Sequence, residues 1–140
     1  MKSSMKGIIN TCIGSEALRK DSVHDQKIVK ELTELIHDVR VQLIGPIRQK
    51  ILSGIKSLKQ FNELKEYFSA FLDLPLDATD YKKAAEFYNL CKRKGIEGSN
   101  TDFLVCAVAS QRNFEIYSID NDFNNFQKYI PIKLHKIQSI

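Results

Sequence analysis

Short apolar runs alternate with longer stretches of helical spacing along this chain, and that alternation constrains its fold more than any other feature. Gly7–Ile13 reads as a strand entering a turn, and Ser15 is placed to cap a helix over Glu16–Lys20. Ile28, Val29, Leu32, Leu35, Ile36 and Val39 recur at helical steps, which predicts a long helix from Asp25 to Asp38. Val41–Ile44 reads as a buried strand bounded by Gly45-Pro46, and Pro46 suits the first turn of a helix running to Lys56. A further helix is predicted over Leu58–Leu72, with Phe61, Leu64, Phe68, Phe71 and Leu72 on one side. Asp77 caps a helix over Ala78–Lys94 that Gly95 closes. Asn100–Arg112 is helical and largely apolar. Glu115–Ser118 reads as a strand, Asp120–Lys128 as a short helix and Ile132–Leu134 as a last strand. This order predicts a three-layer α/β domain whose mainly parallel central sheet is flanked by helices.

The length of 140 residues suits one domain, with residues 1–5 as an N-terminal extension. No apolar run reaches the roughly 20 residues that span a bilayer, so no membrane is expected. The apolar part of the N-terminus is short and broken by Asn10 and Thr11, unlike a secretory signal. Cys12, Cys91 and Cys106 show neither zinc nor redox spacing. Buried reduced thiols in a cytoplasmic compartment fit them best. The net charge of +4 is only a weak pointer to a polyanion.

In parallel α/β sheets, function collects beyond the carboxyl ends of the strands. Three places meet that rule: Asn10–Ile13, Gly45–Arg48 and Ser118–Asp122. The last is the most informative, because Asp120 and Asp122 follow a buried strand with one residue between them. At about 4 Å, two such charges cost roughly 1 to 4 kcal/mol, so a cation or hydrogen-bond donors are expected to compensate them. A plainer reading makes Asp120 an N-cap and Asp122 a first-turn acid favoured by the helix dipole. Asp102, where a polar loop meets an apolar helix, has the same two readings.

The stretch Gly98-Ser99-Asn100-Thr101-Asp102-Phe103-Leu104-Val105-Cys106-Ala107-Val108-Ala109, followed by Ser118-Ile119-Asp120-Asn121-Asp122-Phe123, resembles the C-terminal half of a PIN domain of the VapC toxin type. Ile8-Ile9-Asn10-Thr11-Cys12-Ile13-Gly14-Ser15-Glu16-Ala17-Leu18-Arg19 resembles that family's first strand and helix. Gly45-Pro46-Ile47-Arg48-Gln49-Lys50-Ile51-Leu52-Ser53-Gly54 resembles its second segment. The resemblance implies a cytoplasmic, metal-dependent endoribonuclease toxin of a toxin–antitoxin system, commonly a homodimer. Such a toxin holds Mg²⁺ or Mn²⁺ on four acids, cleaves RNA (often transfer RNA) and is blocked by a cognate antitoxin. By the same resemblance Asp102 and Asp120 are the third and fourth acids, Asp122 is a further metal-holding acid, and Ser118 lines the site.

Two acid positions depart from the family pattern, with Asn10 at the first and Lys50 at the second. Restoring acids at both would lower the net charge of +4 by three. Hard divalent ions depend strongly on ligand charge, so impaired catalysis is expected. The alternative is a catalytically degenerate PIN domain that binds RNA or antitoxin without cutting. A specific expectation follows: the Lys50 ammonium stands in for the metal, bridging Asp102 and Asp120. Arg48, Lys50, Lys92, Arg93 and Lys94 are the candidate RNA contacts; for the 92–94 run, a solvated helix end is the competing reading.

Overall fold

The structure, a computed structural model, describes residues 6–9, 41–53, 55–69, 71–118 and 120–135. The helices predicted over 16–20 and 25–38, the Ser15 cap, Asn10 and Cys12 lie outside the described residues.

Four short strands form one sheet: β1 Gly7–Ile9, β2 Val41–Gln42, β3 Glu115–Tyr117 and β4 Lys133–His135. Their order is β2-β1-β3-β4, and every ladder is parallel. β1 is central, with Ile8 opposite Ile116 and Ile9 opposite Tyr117, all four buried. Gly7 is required here, because a Cβ at that position would collide with the Tyr117 ring.

Helix α1, Gly45–Leu52, starts with Pro46 in its first turn and buries Ile47 and Ile51. Helix α2, Leu58–Phe68, starts at Ser57, whose hydroxyl accepts the Gln60 N–H. It ends at Phe68, not at Leu72 as the apolar spacing predicts. The chain instead leaves the helix and forms a parallel bridge between Asp73 and Leu43, with Leu74 N–H donating to Leu43 O at 2.9 Å. Leu72 is consequently exposed.

Helix α3, Ala78–Arg93, begins in a capping box. Asp77 accepts the Thr79 and Asp80 N–H groups, and Asp80 accepts the Asp77 N–H. It stops at Gly95, whose φ of 78° is open to glycine at no steric cost. Ile96 N–H then returns to Cys91 O, and Gly95 N–H to Lys92 O, which satisfies the last carbonyls. Helix α4, Asn100–Arg112, opens with a second capping box between Ser99 and Asp102 and closes at Asn113 in the left-handed region. Every residue from Phe103 to Ala109 is buried, so α4 is covered around its whole circumference. Cys91 and Cys106, on α3 and α4, are buried free thiols. Helix α5, Asp122–Phe126, follows β3.

The three-layer PIN-like sandwich expected from the sequence is corrected here. Among the described residues the packing of helices on the sheet is carried chiefly by α4, against β1 and β3, while α3 lies on α4 and α2 on α1. No described helix is long and apolar enough to cross a membrane.

Candidate functional site

Gly98 builds the site by letting two elements touch. A Cβ there would lie 2.6 Å from the Phe126 ring and 2.9 Å from that of Phe103. With glycine in place, the rings of Phe103 on α4 and Phe126 on α5 close to 4.7 Å. The start of α4 is thereby held against α5, at the carboxyl end of β3.

Asp102, Asp120 and Asp122 stand at or just before the starts of the two helices joined there. Asp102 occupies the third position of α4, its carboxylate accepting the Ser99 N–H at 3.3 Å. Ser118 Oγ accepts the Asp120 N–H at 3.0 Å, and Asp120 Oδ1 accepts the Asp122 N–H at 2.9 Å. The charge of Asp120, then burial, then the charge of Asp102 push the Asp122 carboxyl above its ordinary value. Asp120 and Asp102 thus lie near enough for their charge to be felt at Asp122. Asp122 is a first-turn acid, and Asp120 supplies the capping hydrogen bond that the plainer reading expects of it, to the Asp122 N–H. Asn121, between them, already has helical backbone angles and makes no side-chain cap.

No ion pair joins a cation to Asp102, Asp120 or Asp122 among the described residues. Lys50 does not bridge Asp102 and Asp120 as expected; it lies exposed in the last turn of α1. Arg48 is not a free RNA contact either. Its guanidinium donates to Phe68 O and Phe71 O at 2.8 Å and to Asp73 Oδ1 at 3.0 Å, tying α1 to the end of α2. Lys92, Arg93 and Lys94 are exposed at the end of α3, Lys92 over the Tyr88 ring and Lys94 over the Tyr129 ring. Asn10 lies outside the described residues.

Among the described residues no group of three His, Cys, Asp or Glu side chains is arranged to bind a metal. One oxygen of Asp102 and one of Asp120 accept a backbone N–H group each, and Lys50 in place of an acid adds no ligand.

Asp80 is the buried carboxylate that sequence reasoning missed. It is 1% exposed and accepts from Arg112 at 2.7 and 3.0 Å and from Gln111 at 2.7 Å. The Arg112 guanidinium holds its carboxyl below the usual range. The signal was available: Asp77-x-x-Asp80 repeats the spacing of Ser99-x-x-Asp102.

No protein-family profile matches the chain, and no curated protein matches it. Solved structures do. FitAcB from Neisseria gonorrhoeae matches with a TM-score of 0.71 at 20% identity, over 93% of this chain and 96% of that one. This is the fold of a chain in FitAB and VapBC structures. VapBC2 from Rickettsia felis, bound to a promoter DNA fragment, matches with a TM-score of 0.74 at 18% identity, over 94% and 98%. DNA-bound VapBC from Salmonella typhimurium gives 0.74 at 18%, over 94% and 97%. These neighbours belong to toxin–antitoxin complexes. The assignment to the PIN-domain toxin ribonucleases is corrected by them: what the neighbours' names give in common is a two-component assembly. Neither the endoribonuclease nor its catalytically degenerate version is sustained.

Proposed function

We propose that this chain is a non-catalytic, partner-binding component of a toxin–antitoxin complex. The observation that carries the reading is a likeness over more than nine-tenths of both chains to components of FitAB and VapBC assemblies. The acidic cluster supports it physically. Three carboxylates without a cation among the described residues repel one another, and a guanidinium or ammonium from a partner would relieve that repulsion while gaining charge-assisted hydrogen bonds. Asp102, Asp120 and Asp122 would receive the cation, and Ser118 holds Asp120 in place through its backbone. Mg²⁺ or Mn²⁺ would compete for the same acids, and no step is assigned to either. The buried thiols Cys91 and Cys106 suit a reducing, cytoplasmic setting.

Co-expression with the product of the adjacent gene, followed by light scattering, tests the reading. A single species containing both chains is expected, with no Mg²⁺-dependent cleavage of RNA. Separate elution of the two chains would overturn complex formation, and metal-dependent cleavage would overturn the non-catalytic part.

A further inference from the structure

A second surface, away from the acidic cluster, is built to receive something. Between α3 and α4 lies an open hollow of about 360 Å³, within the range of ligand-binding pockets. Its floor is Ala84, Ala85 and Leu104, and Tyr81 and Tyr88 stand at either end. The small floor residues make the recess, since Tyr81, Ala84, Ala85 and Tyr88 fall at positions that share one helical face. Tyr88 is braced edge-on against Phe103 at 5.6 Å. Tyr81 is 53% exposed.

Charge beside the hollow is mainly positive, with Glu86 the one acid on that side of α3. Lys82, Ala85, Asn89 and Arg93 form the adjoining stripe of α3, and Lys92 extends the face beyond Tyr88. Lys82, Lys92 and Arg93 are exposed, and among the described residues no carboxylate lies within ion-pair distance of any of them. The nearby acid Glu86 is taken by Lys83 at 3.3 Å. At 1.5 Å per residue, Lys82 and Arg93 stand about 16 Å apart along the helix, more than a single small molecule spans.

We propose that this groove seats an acidic amphipathic segment of the partner chain, which sets one large apolar side chain between Tyr81 and Tyr88 and its carboxylates against Lys82, Lys92 and Arg93. The inference rests on the partner-binding reading and names the chemistry of a second contact. A recess between two separated tyrosines accepts a side chain. It does not offer the protruding, successive rings on which single-stranded bases stack.

The test needs no identified partner. Short random peptides displayed on phage are selected on the whole chain and counter-selected on Ala85→Arg. That substitution fills the recess from an exposed helix position, and thermal melts check that the fold is kept. Acid-rich clones carrying Phe, Trp or Leu are expected. Their affinity should fall about tenfold with Ala85→Arg, and again with Lys82→Glu plus Arg93→Glu. Basic clones, or clones indifferent to Ala85→Arg, would overturn the proposal. So would a labelled oligothymidylate whose binding depends on Ala85, since the groove would then read nucleic acid. The same Ala85→Arg variant is then titrated with the adjacent gene product. Unchanged affinity there sinks this contact and leaves the complex standing. Acidic peptides that bind a chain forming no complex would do the reverse.

Discussion

Asp80 and Asp102 hold the same position in two capping boxes, each accepting the N–H of the residue three places before it. Their surroundings are opposite. Asp80 is buried and gripped by Arg112 and Gln111, so its charge is spent on joining the start of α3 to the end of α4. Asp102 adds to the negative charge felt at Asp122, with no cation paired to it among the described residues. One carboxylate has its compensation inside the chain, and the other is left to find it elsewhere. Position in a helix therefore says what an acid does for the backbone. Only the groups across from it say whether it is spent or available.

The difference predicts a wide gap in stability. Asp80→Ala should cost about 3 kcal/mol, because it strands the Arg112 guanidinium in a half-buried place. Urea unfolding measures this, and a loss below about 1 kcal/mol would erase the contrast. Asp102→Ala should cost only what a capping partner contributes, about 0.5 to 1 kcal/mol, partly returned by relief of repulsion at Asp122.

Acid titration sharpens the same point. The Asp80 carboxyl sits below its ordinary value of 3.8, so its stabilisation is complete above that pH and is lost as pH falls through the lowered value. The stability difference between the native chain and Asp80→Asn should therefore hold from neutral pH down to about 4 and fade below it. Asp122 has the opposite sign. Its carboxyl is pushed up, so its ionisation opposes the folded state once pH rises past 3.8. Asp122→Asn should raise the neutral-pH Tm by about a degree, with the gain shrinking in salt and vanishing in acid. A fall in Tm at neutral pH would mean that Asp122 is already compensated.

Local chemistry made much of this legible in the sequence. Asp77 and Gly95 bracket α3, and Ser99 and Asn113 bracket α4, because caps and left-handed closures are decided by neighbouring residues. What depended on distant groups was hidden. Arg48 looked like a nucleic-acid contact, yet its partners come from Phe68, Phe71 and Asp73. Lys50 looked like an internal counter-charge, and a single turn of α1 puts it in solvent. The end of α2 depended on the Leu43–Asp73 bridge, a pairing that no helical stripe encodes. The motif resemblance placed Asp102 and Asp120 side by side, but the chemistry it implied did not follow from the arrangement of oxygens.

The most direct test of the central claim is calorimetric titration of the adjacent gene product into the native chain and into Asp102→Asn plus Asp120→Asn. A docking cluster predicts binding about a hundredfold weaker in the double variant, and a native affinity that falls as salt rises. Equal affinity in both chains, insensitive to salt, would contradict it.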